Sequence, residues 1–442
     1  MRSTNTAESP LPDTTDVVVI GGGVVGVGAA LALAERGVPV VLCEKGRVAA
    51  EQSSRNWGWI RRQGRDPVEL PLMGESLAIW KRVVAELDED IGFRVGGITY
   101  LAETEAALAE RAAWLERVQG HGLDTRLLTR TETEALLGDH AGGRFVGALH
   151  TPGDAYAEPA LAVPAMARLA RARGARLHEG TAVRGLLREG GAVRGVVTER
   201  GTVRAQAVIL AGGIWSRTFF ENEGLSLPQL AVRASALRTT PAAQPSTSTF
   251  GTPAAAIRPR ADGGYTIGRT GAARFDMIPA AFRHLGAFLP ILRSNWRIMT
   301  LRAGPAFFGP LGRQRWALDE PSPFEAVRTM DPAPDSRLLA DILRTARERY
   351  PVLADARIAE SWAGLIDVMP DEVPVIDHVA ARPGLVLASG FSGHGFGLGP
   401  GAGLLAAQLA TGEAPAVDPS PFALERFGRV HRSRRAVVTG AT

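Results

Sequence analysis

A glycine turn between a short apolar strand and a helix dominates the start of the chain. Val17–Ile20 is a buried-strand pattern, and Gly21, Gly23 and Gly26 follow it as G-x-G-x-x-G. Val24 to Arg36 carries small and apolar residues at helical spacing and stops at Gly37; Val38 to Cys43 is a second apolar strand. Strand, helix and strand in this order imply a parallel sheet. The first glycine permits the tight turn, the second lets backbone approach a pyrophosphate, and the third lets helix pack on strand. Val24 and Val25 then present the helix N-terminus to the phosphates. Glu44 ends the second strand, 44 − 26 = 18 residues past the last glycine, where a carboxylate holds ribose hydroxyls and repels a 2′-phosphate. A dinucleotide site that disfavours NADP follows, with Lys45 beside it.

Two later segments favour FAD over NAD. Ala207–Leu210, ending in Ala211, Gly212 and Gly213, returns a strand to the nucleotide domain, with Trp215 just beyond. The run Ser389–Gly401 (SGFSGHGFGLGPG) lets backbone pass close to a flat ring system. Pro400 is expected in the first turn of a helix running to about Leu409, whose N-terminus would stabilise a reduced flavin.

With 442 residues the chain is too long for one compact core. Net charge is only +4, the cationic excess is arginine, and much of it sits at the C-terminus (Arg426, Arg429, Arg432, Arg434, Arg435). A basic end of this kind can meet nucleic acid or an acidic membrane; the plainer expectation is a solvated tail and no nucleic-acid partner. Cys43 is the only cysteine, which excludes an intrachain disulfide and a cysteine metal cluster. No metal site is expected. There is no apolar run long enough for a membrane span, and the polar first fifteen residues do not resemble a secretory signal, so a cytoplasmic location is expected. Helical patterns cover Leu70–Leu87, Thr104–Val118, Pro159–Arg173 and Ser336–Arg349, and β-like runs such as Ala231–Thr239 and Gly264–Gly268 dominate from Leu227 to about Phe308. Residues 241–253 read as a low-complexity loop.

These blocks, GGGVVGVGAALALAERG (21–37), QSSRNWGWIR (52–61), GDAYAEP (153–159), VILAGGIWS (208–216), WAGLIDVMPDEVPVI (362–376) and SGFSGHGFGLGP (389–400), together resemble the D-amino-acid-oxidase-like flavoproteins, which include glycine oxidase, sarcosine oxidases and amino-acid dehydrogenases. The resemblance implies an α/β (α+β overall) chain. A Rossmann-like FAD domain of glutathione-reductase type (16–90, 150–225 and 350–427) carries an antiparallel-sheet substrate domain (91–149 and 226–349), between a flexible end (1–15) and a basic tail (428–442). It places Ser53, Ser54, Asn56, Trp57 and Gly58 in the loop past the flavin, Val183 at the adenine, Ala211, Gly212 and Trp215 beside the nucleotide, Gly364 near the ring, and Gly393, His394, Gly395, Phe396 and Gly397 at its pyrimidine edge.

Relatives that bind FAD covalently use a cysteine near the WAGL block or a histidine near the SSRN block. This chain has neither there, so FAD is expected to be non-covalent. Glycine-oxidase-like members have an arginine after WAGL that grips the substrate carboxylate; here Ile366 and Asp367 follow, favouring a cationic group, while Arg61 and Arg62 could supply the clamp from the other side. Thr266 is expected where oxidases carry an oxygen-activating lysine, which favours a dehydrogenase or slow oxidase. His394 is the titratable group expected near the ring, either to deprotonate a substrate ammonium or to stabilise reduced flavin, and Trp57, Trp59, Phe308, Trp316 and Trp362 are candidate pocket walls. The activity expected is C–N oxidation of a small amine or amino acid by hydride transfer to flavin, with oxygen or an electron carrier as acceptor. The alternatives are a 2-hydroxy-acid or polyol-phosphate dehydrogenase and a non-catalytic flavin-binding assembly protein.

Overall fold

The computed structural model describes residues 10–138, 144–295, 300–312 and 315–428. β1 (Val17–Ile20) and β2 (Val40–Cys43) pair in parallel around helix α1 (Val24–Glu35), as the turn glycines and apolar runs require. The strand Ala207–Leu210 pairs in parallel with β1 on its other side, followed by Leu385–Ser389 and, antiparallel at the edge, Val375–His378; Arg176–His178 closes the opposite edge. The resulting six-stranded sheet thus takes strands from distant parts of the chain. A ten-stranded sheet forms a second layer system. It is mostly antiparallel, with parallel pairings of Thr249–Thr252 on Ile98–Ala102 and of Ala273–Asp276 on Thr300–Arg302. Strands brought together from separate segments have no hairpin turn to force their direction. Ile358–Val368 pairs along nearly the whole of Leu230–Thr239 in this sheet.

The helix expected to start near Pro400 begins earlier, at Gly395, and runs to Thr411. Pro400 therefore lies inside it, where it lacks an N–H and crowds the preceding turn. Ser76 repairs the ladder one residue on: its hydroxyl accepts from Gly401 N (3.0 Å) and donates to the Gly397 carbonyl (2.6 Å). Gly403 lets this helix touch α1, since a Cβ there would stand 2.4 Å from Ala29 N. The core between α1, the Gly395–Thr411 helix and the parallel sheet is apolar and fully buried.

Residues 10–15, expected within a flexible end, instead run beside Gly201–Arg204: Thr15 N donates to Arg204 O and Leu11 packs on the core. Arg426, assigned to the basic end, is tied to Asp371; Arg429, Arg432, Arg434 and Arg435 lie outside the described residues. Among the described residues no helix is long and apolar enough to cross a membrane, and no cluster of ligands could hold a metal ion.

Candidate functional site

Two cavities meet at the carboxyl ends of the parallel strands. The first is lined by Gly21, Gly23, Val24 and Val25 of the glycine turn, Glu44 and Lys45 after β2, Ser53 and Asn56, Val183, and Ala211, Gly212 and Trp215. Gly393, Gly395 and Phe396 close its other end. Gly26 lies beneath, not in, this cavity: a Cβ there would fall 2.0 Å from the Gly21 carbonyl oxygen, so only glycine lets helix and turn meet. The Glu44 carboxylate accepts from Gly22 N and Gly46 N, each at 2.7 Å. Burial pushes its pKa up and those two N–H groups pull it back. Ser53 Oγ accepts from Val24 N (2.9 Å) and so sits directly over the start of α1.

Lys45 is held by Glu51 (2.7 Å) and by the carbonyls of Val327 and Arg328, with its ammonium over the Trp215 ring. Glu51 also accepts from Trp215 Nε1 and Met330 N, which makes it the organiser of this wall; nothing in its sequence context marked it. Ser54, Gly58 and Gly397, expected at the flavin, line neither cavity. Ser54 Oγ donates to Glu51 O, Gly58 turns the loop at φ +82, and the Gly397 carbonyl receives Ser76 and Trp80.

The second cavity shares Gln52, Asn56, Gly393 and Phe396 with the first. Gln52 Oε1 is buried at this junction without a partner among the described residues, an acceptor that a bound N–H or O–H would satisfy. Trp57, Trp59 and Tyr100 form an aromatic wall, with Trp57 and Trp59 edge to face at 5.6 Å. Gly364 and Ile366 line the cavity from the strand Ile358–Val368, and His394 lines it from the glycine turn. Arg61, Arg65 and Arg111 complete it, Arg61 and Arg111 each resting against Tyr100. Arg65 is buried, its Nη1 has no hydrogen-bond partner among the described residues, and burial together with the Arg61 charge lowers its pKa to about 9. Arg111 Nε is likewise buried and unpartnered. By contrast Arg55 and Arg269, also on this wall, are committed to backbone carbonyls and to Asp331 and Asp341. Arg65 and Arg111 were missed from sequence. Arg65 stands in RRQGR with Arg61, a usable signal, but Arg111 arrives from a helix of a distant segment.

His394 Nδ1 lies 3.2 Å from Glu69 Oε1, and both residues are buried. Desolvation, reinforced by Arg65 and Arg61, lowers the His394 pKa to about 4 despite the opposing Glu69, so the imidazole is neutral at pH 7. A base this weak takes up a proton only where a neighbouring negative charge assists it.

Several expectations are corrected. Asp367 does not face the second cavity: strand alternation turns it to the first, where Oδ2 accepts from Gly390 N (2.8 Å) and Phe391 N (3.3 Å), and burial raises its pKa to about 6. It therefore selects no cationic substrate. Arg62 lines neither cavity and is spent on buried Asp154 and on Asp124. Phe308 is 86% exposed, Trp316 packs in the core with Nε1 on Arg184 O, and Trp362 Nε1 bonds Arg55 O, so none of these forms a cavity wall. Thr266 is buried under Arg258 and Arg260 and faces neither cavity, which removes the ground it offered for preferring a dehydrogenase. Cys43 borders the first cavity, yet burial holds its thiol near pKa 12, so it is a packing residue.

The family described as FAD dependent oxidoreductase (DAO) matches residues 16–409. The chain belongs to this family. It is 25% identical over 424 residues to glycine oxidase of Geobacillus kaustophilus, covering 94% of this chain and 98% of that one. It is 27% identical to the sarcosine oxidase subunit beta of an Arthrobacter species, covering 94% and 92%. The structure of L-amino acid deaminase from Proteus myxofaciens in complex with anthranilate superposes with TM-score 0.90 at 31% identity, covering 95% of each chain. The protein is an FAD-dependent oxidoreductase of the amine and amino-acid oxidising family, with the mixed parallel and antiparallel sheets of those structures.

Proposed function

We propose that the protein oxidises the C–N bond of an amino or imino acid whose carboxylate is held by the arginine wall of the second cavity. The observation that carries this reading is the pair Arg65 and Arg111, which line the second cavity with Tyr100 and whose Nη1 and Nε, respectively, are buried without a hydrogen-bond partner among the described residues; the Arg61 guanidinium lies beside them. Unpaired buried guanidinium donors cost free energy that an incoming carboxylate returns through charge-assisted hydrogen bonds. The relatives named as acting on glycine, sarcosine and L-amino acids support the same class.

FAD, when bound, accepts the hydride from the substrate carbon. Ser53, Glu44, Val24 and Gly212 would hold its nucleotide half, and the glycine turn at 393–395 its ring end. Trp57, Trp59 and Phe396 exclude water from the junction, and the arginines fix which carbon faces it. The imine product leaves and hydrolyses in solution.

A 2-hydroxy acid or a phosphate ester would satisfy the same arginines, so the test includes them. Each L- and D-amino acid, N-methyl and cyclic amino acids, plain amines, 2-hydroxy acids and glycerol phosphate are mixed anaerobically with the yellow protein. Bleaching by amino acids and not by amines lacking a carboxylate is the expected result. Bleaching by plain amines alone refutes the carboxylate reading, and no bleaching with FAD firmly bound refutes both enzyme readings. Oxygen consumption in the same assay decides between oxygen and a separate electron acceptor.

A further inference from the structure

The substrate cavity holds one imidazole, and a carboxylate stands behind it that the binding role does not use. Glu69 is fully buried at the start of the helix Leu70–Glu86. Its Oε1 meets His394 Nδ1 at 3.2 Å, and its Oε2 is buried without a hydrogen-bond partner among the described residues. A buried carboxylate left half-satisfied is costly and calls for a functional reason. The Nδ1–H contact also fixes the tautomer: Nδ1 donates to Glu69, which leaves Nε2 as the ring acceptor on a residue that lines the cavity.

We infer that His394 is the base that takes the substrate's ammonium proton, that Glu69 is its positioning residue, and that the base is switched on by the substrate's own carboxylate. This rests on the amino-acid reading above. In the step, one N–H bond of the substrate ammonium breaks, its electron pair stays on nitrogen, and the proton forms a bond to Nε2. That pair is then available to complete the C=N bond as the α-carbon gives up its hydride, which a bound FAD would accept. Glu69 stays ionised and stabilises the imidazolium, the division of labour of a histidine backed by a buried carboxylate.

The switch comes from the charges around the ring. From the segment after Trp59–Ile60, Arg61 and Arg65 oppose a charge on His394; from the helix start, Glu69 favours it. Tyr100 and Asp154 act on Arg65, and Glu372, in the turn after the strand Ile358–Val368, feels Glu69. Burial and the arginines outweigh Glu69 and hold the imidazole well below its ordinary range. A carboxylate beside Arg61 and Arg65 cancels their opposition while Glu69 remains, so basicity rises only when an amino acid is in place.

Two variants and two readouts test this. The amino acid that reduces the wild type fastest is used in anaerobic stopped flow with Glu69→Gln and His394→Gln, after FAD content is matched. At pH 7 each variant is expected to lose about 100-fold or more in the rate of flavin reduction. Above about pH 10, where the amine arrives already neutral, the loss is expected to shrink to less than about 10-fold. The second readout needs no turnover. Binding of anthranilate as a carboxylate probe near about pH 5 is expected to draw protons into the wild type, measured by calorimetry in buffers of different ionisation enthalpy, and not into either variant. An equal loss at every pH, no loss at all, or proton uptake that persists in both variants overturns the inference while leaving the amino-acid reading standing. If no amino acid reduces the wild-type flavin, the amino-acid reading falls and this one with it.

Discussion

Ser76→Ala removes one oxygen from the middle of the helix Leu70–Glu86, and its effect is expected on a different helix. Gly401 N loses its acceptor, and being buried it has no water to replace it. The Gly397 carbonyl keeps Trp80 Nε1 at 3.3 Å and is only weakened. One orphaned buried donor costs about 2 kcal/mol. With an unfolding entropy of about 2.1 cal/mol/K per residue over the chain, that lowers the unfolding midpoint by about 2 °C. Scanning fluorimetry of the FAD-loaded protein resolves such a shift. The partner substitution is Pro400→Ala, which restores an N–H and lets the helix close its own ladder. In that background Gly401 N can reach the Gly397 carbonyl directly, so Ser76→Ala should cost at least about 1 kcal/mol less, a coupling read by a double-mutant cycle. Equal shifts in both backgrounds would refute the argument that the hydroxyl repairs a proline break.

Gly26→Ala drives a Cβ to 2.0 Å from the Gly21 carbonyl, and the purified protein is expected colourless, with the ratio of flavin to protein absorbance near zero. Arg65→Met is expected to raise the KM for amino acids at least about 10-fold, whereas Arg62→Ala, whose side chain serves Asp154 and Asp124, should leave KM within about twofold and lower stability by about 3 kcal/mol in urea unfolding. Asp367 has its pKa raised from 3.8 to about 6, so its ionised form penalises the folded state; that penalty is fully present above pH 6 and is gone below pH 3.8. Asp367→Asn is therefore expected to match or exceed wild-type stability at pH 8, by at most roughly 3 kcal/mol, and to lose that advantage as pH falls to about 4; a wild-type advantage that grows with pH would contradict the sign.

The nucleotide half of the molecule was legible because its signals are local. Turn glycines, short continuous apolar strands and the carboxylate at Glu44 all act within a few residues of themselves, and Gly21, Gly23 and Glu44 line one cavity. The substrate half depends on distant segments meeting. Arg111 reaches the aromatic wall from a separate helix, Thr266 falls under Arg258 through sheet pairing, and Phe308 points outward; none of these is encoded by spacing. Ile366 and Asp367 do not share a chemical neighbourhood, because adjacent residues of a strand face opposite ways.

That alternation makes the strand Ile358–Val368 a partition between two chambers. Gly364 and Ile366 look into the substrate chamber, Leu365 and Asp367 into the nucleotide chamber. With substrate and cofactor in the two chambers as proposed, substitution at residue 366 is expected to retune what is oxidised without disturbing how the cofactor sits, and changes at 365 or 367 to do the reverse. A single-residue insertion just before this stretch would exchange the two sets at once, putting a carboxylate opposite the arginines and stripping Gly390 and Phe391 of their acceptor. Divergence within such a wall is open to replacement at alternate positions and closed to changes in length.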